Sequence, residues 1–220
     1  MYCDGVTLGA SLVKVRRSLT LVLGLLLAFA VLVLLAGALN SGYLHSRDYV
    51  SSLASRGADQ AWVGVLALAS FAAAHAVAAM RWRRTARIVW ATLLACSALV
   101  LVVALARASC PEGAGRCSLP GRASVTDLGD TIHGLSVGVY LLAFVLAAIC
   151  AGVVLLRRRR RGPGAVILVL AALSILTASQ IDERTPGAEQ RLWLAVNALG
   201  LVALAGFAGS TDTRKQVTPE

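Results

Sequence analysis

Six long apolar stretches divide this chain, and basic residues cluster in every second gap between them. Each stretch can cross a hydrocarbon core of about 30 Å at about 1.5 Å per helical residue. In lipid only a helix satisfies its backbone hydrogen bonds within one segment, so these stretches should be helical. The sequence therefore predicts an all-α, polytopic transmembrane bundle of six helices, with apolar runs at residues 19–39, 61–80, 88–106, 131–156, 164–180 and 191–209.

The distribution of charge predicts how these helices are oriented. If the N-terminus is cytoplasmic, the inner segments carry 14 of the 21 Lys and Arg residues, and the acidic residues number 3 inside and 8 outside. The positive-inside rule then places both termini in the cytoplasm. We interpret the net charge of +10 as a basic collar facing membrane lipids, and not as a nucleic-acid surface. The run Arg157–Arg161 is either a stop-transfer signal or a site for anionic headgroups, which polybasic segments attract.

Composition leaves room for one helical bundle and no separate soluble domain. Hydrophobic residues make up 58% of the chain and charged residues 15%, unlike a typical soluble protein. We expect a cytoplasmic segment at 1–18, the transmembrane domain at 19–209 and a cytoplasmic tail at 210–220. The first apolar run exceeds the core of a signal peptide, which has about 7–15 residues, so it should be an uncleaved anchor. The expected location is a plasma membrane, multi-pass, in a bacterium.

Two of the five cysteines share the second outer loop. Cys110 and Cys117 enclose a stretch rich in turn-forming residues, so the two ends can meet on the side where disulfides persist. We predict a structural disulfide between them. A zinc site is disfavoured, because two thiolates lack the other two ligands of a tetrahedral centre. Cys96 and Cys150 lie within spans and should be small packing residues.

A polar stripe runs down the fourth helix. Asp130, His133, Ser136 and Tyr140 follow one another at spacings of three, three and four, and therefore share one face of the helix. Polar groups are costly in lipid, so the stripe should face the bundle interior. We expect Asp130 and His133 to hydrogen-bond, with the carboxylate fixing the imidazole tautomer. The stripe is either a binding pocket or a polar seam that ties helices together.

Other polar groups are predicted at the same outer depth, and the candidate ligand-binding set adds Ser51, Ser52, Asp182, Glu183 and Arg191. His75 lies about 14 residues into the second span, so we expect it well below this cluster and without a shared partner. It is either a neutral histidine bonded to a neighbouring helix or a ligand or proton site.

No motif assigns a reaction or a cofactor. His133 and His75 should differ in depth by about 16 Å, too far apart to ligate one haem. The chain has no HExxH, no Walker loop and no Gly-x-Ser-x-Gly elbow. We therefore expect no cofactor and no metal site, and whether the protein is an enzyme stays open.

The order of several short motifs resembles the bacterial membrane family catalogued as domain of unknown function number 998. The matching pieces are Tyr49-Val50-Ser51-Ser52-Leu53, Trp62, the arginine-bounded turn between the second and third spans, Asp130-Thr131-Ile132-His133, and Gly187-Ala188-Glu189-Gln190-Arg191-Leu192. The resemblance covers about residues 19–209. It implies a six-span protein of about this size and supplies no activity. The loop with Cys110 and Cys117 does not map onto the family pattern.

Two classes of function remain. The first is an integral membrane protein with an outward-facing pocket for a lipid or small molecule around Asp130 and His133, acting as a carrier or a lipid-active enzyme. The second is a non-catalytic component that packs with a partner membrane protein or a second copy. The first requires the polar groups to converge on a cavity, and the second requires them to be paired across tight helix contacts.

Overall fold

The computed structural model describes residues 5–108, 128–181 and 184–208, with side chains from residue 16 onward. Within these ranges the chain is all-helical, as predicted, and has six helices long and apolar enough to span a membrane. They are α1 (Gly5–Leu39), α2 (Ala61–Trp82), α3 (Arg87–Leu105), α4 (Leu128–Arg157), α5 (Arg161–Ser179) and α6 (Pro186–Phe207). A short 3-10 helix, Val50–Ala54, lies between α1 and α2; we call it the 50–54 turn.

Five of the six helices begin earlier than the apolar runs predict, and α1 differs most, starting at Gly5 instead of residue 19. The fourth starts at Leu128 instead of residue 131, and the sixth at Pro186 instead of residue 191. A first turn can be polar because its N–H groups and side chains reach water, and proline suits the first helical position, where no intrahelical N–H bond is lost. The apolar runs therefore predicted the lipid-crossing parts of α4 and α6 but not their polar first turns.

The two ends of the bundle differ in how the helices are connected. At one end α2 joins α3, and α4 joins α5, through three- to four-residue links that carry arginines; we call this the arginine end. The opposite end, which we call the loop end, carries the longer connections 40–60 and 180–185. The orientation predicted from the charge distribution would place the loop end on the side of the membrane away from the cytoplasm.

Each helix packs against the next along the chain, and α6 closes the arrangement by contacting both α1 and α2. The buried face of α2 consists largely of alanines, among them Ala72, Ala74, Ala78 and Ala79. Small residues let helix backbones approach closely in lipid, where packing replaces the hydrophobic effect between helices. Helices α1 and α5 are the least enclosed of the six described spans, and α1 turns leucines such as Leu27 and Leu34 outward.

Arginines and a tryptophan tie the arginine end together. Trp82 donates its indole N–H to the Leu204 carbonyl at 3.0 Å, which joins α2 to α6. Arg158 donates to Thr85 O at 3.2 Å and Arg160 to Phe207 O at 3.1 Å. Carbonyls at a helix C-terminus have no partner within the helix, so cations bind there favourably. Two members of the Arg157–Arg161 run therefore have a structural role in addition to their charge.

Candidate functional site

The polar stripe on α4 faces the bundle interior. His133, Ser136 and Tyr140 are all buried, and Asp130 at the head of the helix is half-buried. The three-, three- and four-residue spacing thus predicted the buried face correctly, because it follows from helix geometry alone.

His133 does not make the bond that we expected. Its Nδ1 donates to the Ala106 carbonyl at 3.1 Å, at the end of α3, so the predicted Asp130–His133 hydrogen bond is wrong. A carbonyl at a helix end lacks an intrahelical partner and therefore accepts readily from a buried N–H. His133 therefore links α4 to the end of α3 through this hydrogen bond.

Tyr140 hydrogen-bonds to His75, so the prediction that His75 shares no partner with the stripe is also wrong. The Tyr140 hydroxyl and His75 Nε2 are 3.2 Å apart, and His75 Nδ1 lies 2.9 Å from the Phe71 carbonyl. A carbonyl can only accept, so Nδ1 carries the proton and Nε2 accepts from the hydroxyl. His75 is then neutral. The predicted depth of His75 relative to His133 is not what failed: Tyr140 lies seven residues, about 10 Å, below His133 on α4, and this lowest member of the stripe reaches His75.

Aromatic rings enclose this pair. Phe71 meets the His75 ring edge-on with centroids 4.7 Å apart, and Phe144 lies 6.0 Å away on another side. Trp193 approaches Tyr140 edge-on at 5.8 Å. His75 is fully buried, so water does not compete for its two hydrogen bonds. His75 therefore has the features of a structural histidine, with both ring nitrogens hydrogen-bonded.

A second buried network joins α5 to α6. Ser174 donates to Asn197 Oδ1 at 2.6 Å, and the Trp193 indole N–H donates to Ser174 Oγ at 3.2 Å. The Asn197 amide faces the Tyr140 hydroxyl, although its Nδ2 has no hydrogen bond within the described part of the chain. Sequence reasoning missed Ser174 and Trp193 as site residues. The available signal was that Ser174 is a polar residue within an apolar helix.

The connection between α1 and α2 docks onto the helices at the loop end. Val50 N–H donates to Gln190 Oε1 at 2.6 Å, and Arg107 donates to the Ala54 and Ser55 carbonyls, both at 2.8 Å. Ser52 is buried in the turn, and Ser51 beside it is half-exposed. Helices α3 and α6 therefore fix the position of the 50–54 turn.

Arg191 holds the same connection from α6. Its guanidinium donates to three carbonyls, those of His45, Asp48 and Gly187, and contacts Tyr43 Oη and His45 Nδ1. Arg191 was predicted as a ligand-binding residue, and in the structure it is bound to the protein's own loop. Burial raises the pKa of Tyr43, an effect that the Arg191 charge opposes. Burial, helped by the same charge, lowers the pKa of His45.

A small cavity lies beneath the 50–54 turn, between α2, α3, α4 and α6. Its volume is about 40 Å³, and none of the described residues lining it is charged. Three of its lining residues, Ser51, Val137 on α4 and Leu194 on α6, are half-exposed and the others are buried, from which we infer a mouth between α4 and α6. The walls comprise Leu68, Phe71, Val100 and Val103 together with Tyr140, Gln190 and Trp193.

The cavity brings together two of the predicted ligand-binding residues, Ser51 and Tyr140. His133, Ser136, Ser52, Asp130 and Arg191 do not line it. The remaining predicted residues, Asp182 and Glu183, and the predicted disulfide partners Cys110 and Cys117 lie outside the described residues. Across the described ranges no cluster of three His, Cys, Asp or Glu side chains could hold a metal ion.

Fold and site together define a multi-pass helical membrane protein with a small apolar cavity near one end. The family described as "Protein of unknown function (DUF998)" matches residues 22–208, and the chain belongs to this family. The resemblance drawn from the order of motifs is thereby confirmed. No curated protein and no solved structure matches the chain.

Proposed function

We propose that this protein binds a lipid or another small amphipathic molecule in the cavity beneath the 50–54 turn. The supporting observation is a cavity between four helices whose described lining carries no charged residue. About 40 Å³ has room for roughly three water-sized groups, and apolar cavities stay dry. A short hydrocarbon segment suits such walls better than water does. The proposal concerns binding and assigns no reaction.

The proposed site lies deeper and nearer α6 than Asp130 and His133, around which the sequence placed it. His133 supports it indirectly by fixing α4 against α3 through the Ala106 carbonyl. The docked 40–60 connection forms its roof, because Val50 and Ser51 both line the cavity. Access is then through the mouth between α4 and α6, where Val137 and Leu194 are half-exposed.

Filling the cavity tests this function. Val100 is buried in the wall, whereas Val102 on the same helix is 38% exposed on the outer surface. We expect Val100→Phe to remove a lipid that copurifies with the protein, measured by mass spectrometry, and Val102→Phe to leave it in place. If neither variant changes the retained lipid, or if the native protein retains none and binds none added, the proposal is wrong.

The alternative is a non-catalytic component that packs with a partner membrane protein or a second copy. It is favoured by how many buried polar groups are paired across helices, such as His75 with Tyr140 and Ser97 with the Ala72 carbonyl at 2.8 Å. If this alternative holds, Val100→Phe should change the stability of the protein and leave any copurifying lipid unchanged. Crosslinking in native membranes, followed by purification of the protein, should then recover a partner chain or a dimer.

The surroundings that we propose are those the sequence predicts: a bacterial plasma membrane, with both termini cytoplasmic. A Cys110–Cys117 disulfide belongs to the same proposal, since that loop would lie on the oxidising side. We expect both thiols to resist maleimide until a reductant is added. Labelling of both in the unreduced native protein would contradict the disulfide.

A further inference from the structure

Gln190 lines the cavity, and one end of its side-chain amide has no hydrogen-bond partner among the described residues. Its Oε1 accepts from the Val50 N–H, and because an N–H can only donate, this contact fixes the orientation of the amide. Nε2 must therefore point away from Val50. Gln190 is 9% exposed and lines the cavity, and among the described residues its Nε2 has no hydrogen-bond partner. Nε2 is not one of the fully buried atoms without a partner, so it keeps some accessible surface and a ligand that supplies an acceptor can bond to it.

Ser51 adds a second polar group at the mouth. Its side chain is half-exposed, lines the same cavity, and makes no hydrogen bond within the described ranges. The third polar group, Tyr140, donates its proton to His75. Two groups without a protein partner, Gln190 Nε2 and Ser51 Oγ, thus belong to residues beside the 50–54 turn, while the exposed lining, which includes Phe71 and Val100, is almost entirely apolar.

The charge of the lining limits the ligand further. No described residue of the lining is acidic or basic. The guanidinium of Arg191, next in sequence to Gln190, already donates hydrogen bonds to the carbonyls of His45, Asp48 and Gly187. An ionised headgroup entering this cavity would lose its water and find no counter-charge, which is strongly unfavourable.

We propose that the cavity selects an uncharged lipid whose head offers a hydrogen-bond acceptor, such as an ester carbonyl or a hydroxyl. The acceptor lies between Gln190 Nε2 and Ser51 Oγ, and the adjoining carbons pack against Phe71 and Val100. The rest of the molecule leaves between α4 and α6 toward the bilayer. This inference rests on the proposed lipid-binding function and specifies the class of ligand.

Two probes that differ only in charge test the selectivity. Delipidated full-length protein in detergent is titrated with a monoacylglycerol or with a lysophosphatidylglycerol of the same chain length, and one-to-one adducts are measured by native mass spectrometry. We expect the uncharged probe to bind at least about tenfold more tightly. Equal binding of both, blocked in each case by Val100→Phe, would overturn the selectivity and leave the binding function standing. Binding of neither would overturn the binding function itself.

Variants at the two polar groups test the assigned contacts. Gln190→Met should weaken monoacylglycerol binding about five- to tenfold, whereas Gln180→Met, at an exposed position beyond α5, should not. Because Gln190→Met also removes the acceptor of Val50, Ser51→Ala provides a second variant that leaves that bond intact, with an expected loss of about threefold. Unchanged affinity in both Gln190→Met and Ser51→Ala would refute the inference, provided that Val100→Phe still abolishes binding.

Discussion

His75 and Tyr140 illustrate how a buried ionisable residue is stabilised in a bundle of this kind. The histidine has one donor and one acceptor when neutral, and the Phe71 carbonyl and the Tyr140 hydroxyl use both. Its ring is fully buried and surrounded by aromatic side chains. The two groups join α2 to α4 at a depth where an unpaired polar group would be expensive. We therefore assign the pair to stability.

Tyr140→Phe should destabilise the protein by about 1–3 kcal/mol, because it leaves His75 Nε2 buried without a donor. Unfolding in mixed micelles, followed by circular dichroism, measures the change. A double-mutant cycle with His75→Ala should show strong non-additivity, since both changes remove the same bond. Purely additive effects would mean that the hydrogen bond contributes nothing.

We expect His45, whose side chain is largely exposed, to make the docking of the 40–60 connection weakly sensitive to pH. Burial and the nearby Arg191 charge lower its pKa in the folded protein, whereas an unfolded histidine titrates near 6.5. The folded state therefore binds fewer protons in this range, and stability present above about pH 6.5 is lost as the pH falls from there toward the lowered pKa. Arg191, Tyr43 and Asp48 are the other titratable groups around this histidine.

We expect hydrogen exchange of residues 43–50 to accelerate below about pH 6.5, after correction for the intrinsic pH dependence of exchange. In His45→Gln the acceleration should disappear, because that side chain does not titrate. The same acceleration in both proteins would assign it to another group.

At the scale of elements, the 40–60 connection depends on glycines that let backbone meet backbone. A Cβ on Gly64 in α2 would lie 2.4 Å from the Leu53 carbonyl oxygen, and one on Gly187 in α6 would lie 2.5 Å from the Asp48 carbonyl oxygen. Real side chains do not approach backbone so closely. The position of the 40–60 connection over the cavity therefore depends on these two glycines, which have no Cβ, as much as on the arginine contacts.

Gly64→Ala should destabilise the protein by about 1–3 kcal/mol, because the added methyl group has backbone in its way. Gly138→Ala in α4 is the matched control, since a Cβ there meets nothing within 4 Å. That change should be neutral or stabilising by up to about 1 kcal/mol through helix propensity. Thermal unfolding of the two variants compares them directly, and equal effects would contradict the close approach.

At the scale of the whole molecule, an even number of spans places the start of α1 and the end of α6 at the arginine end of the bundle. The positive-inside rule predicts that this end is cytoplasmic. Reporter fusions after Gln60, Cys117 and Gln190 should report the outer side, and fusions after Arg87, Arg161 and Glu220 the cytoplasm. An outer signal at Arg161 would overturn the orientation.

The sequence by itself determined the number of spans, the excess of basic residues in the short links at one end of the bundle, and the buried face of α4. These features depend on composition and spacing within one segment, which a chain carries whatever its neighbours are. They also sufficed to indicate the family through the order of motifs. The structure changes the ends of the helices: α1 begins at Gly5, well before its apolar run, and the polar first turns of α4 and α6 extend beyond theirs.

The tertiary structure alone decided which polar groups meet. His133 bonds to the Ala106 carbonyl and not to Asp130, Tyr140 reaches His75, and Arg191 binds loop carbonyls. Each outcome depends on the relative height and rotation of two helices, where a shift of a few ångströms exchanges one partner for another. Gln190, which the sequence analysis left out of the candidate site, entered it for the same reason: its role follows from the Val50 contact across 140 residues of chain.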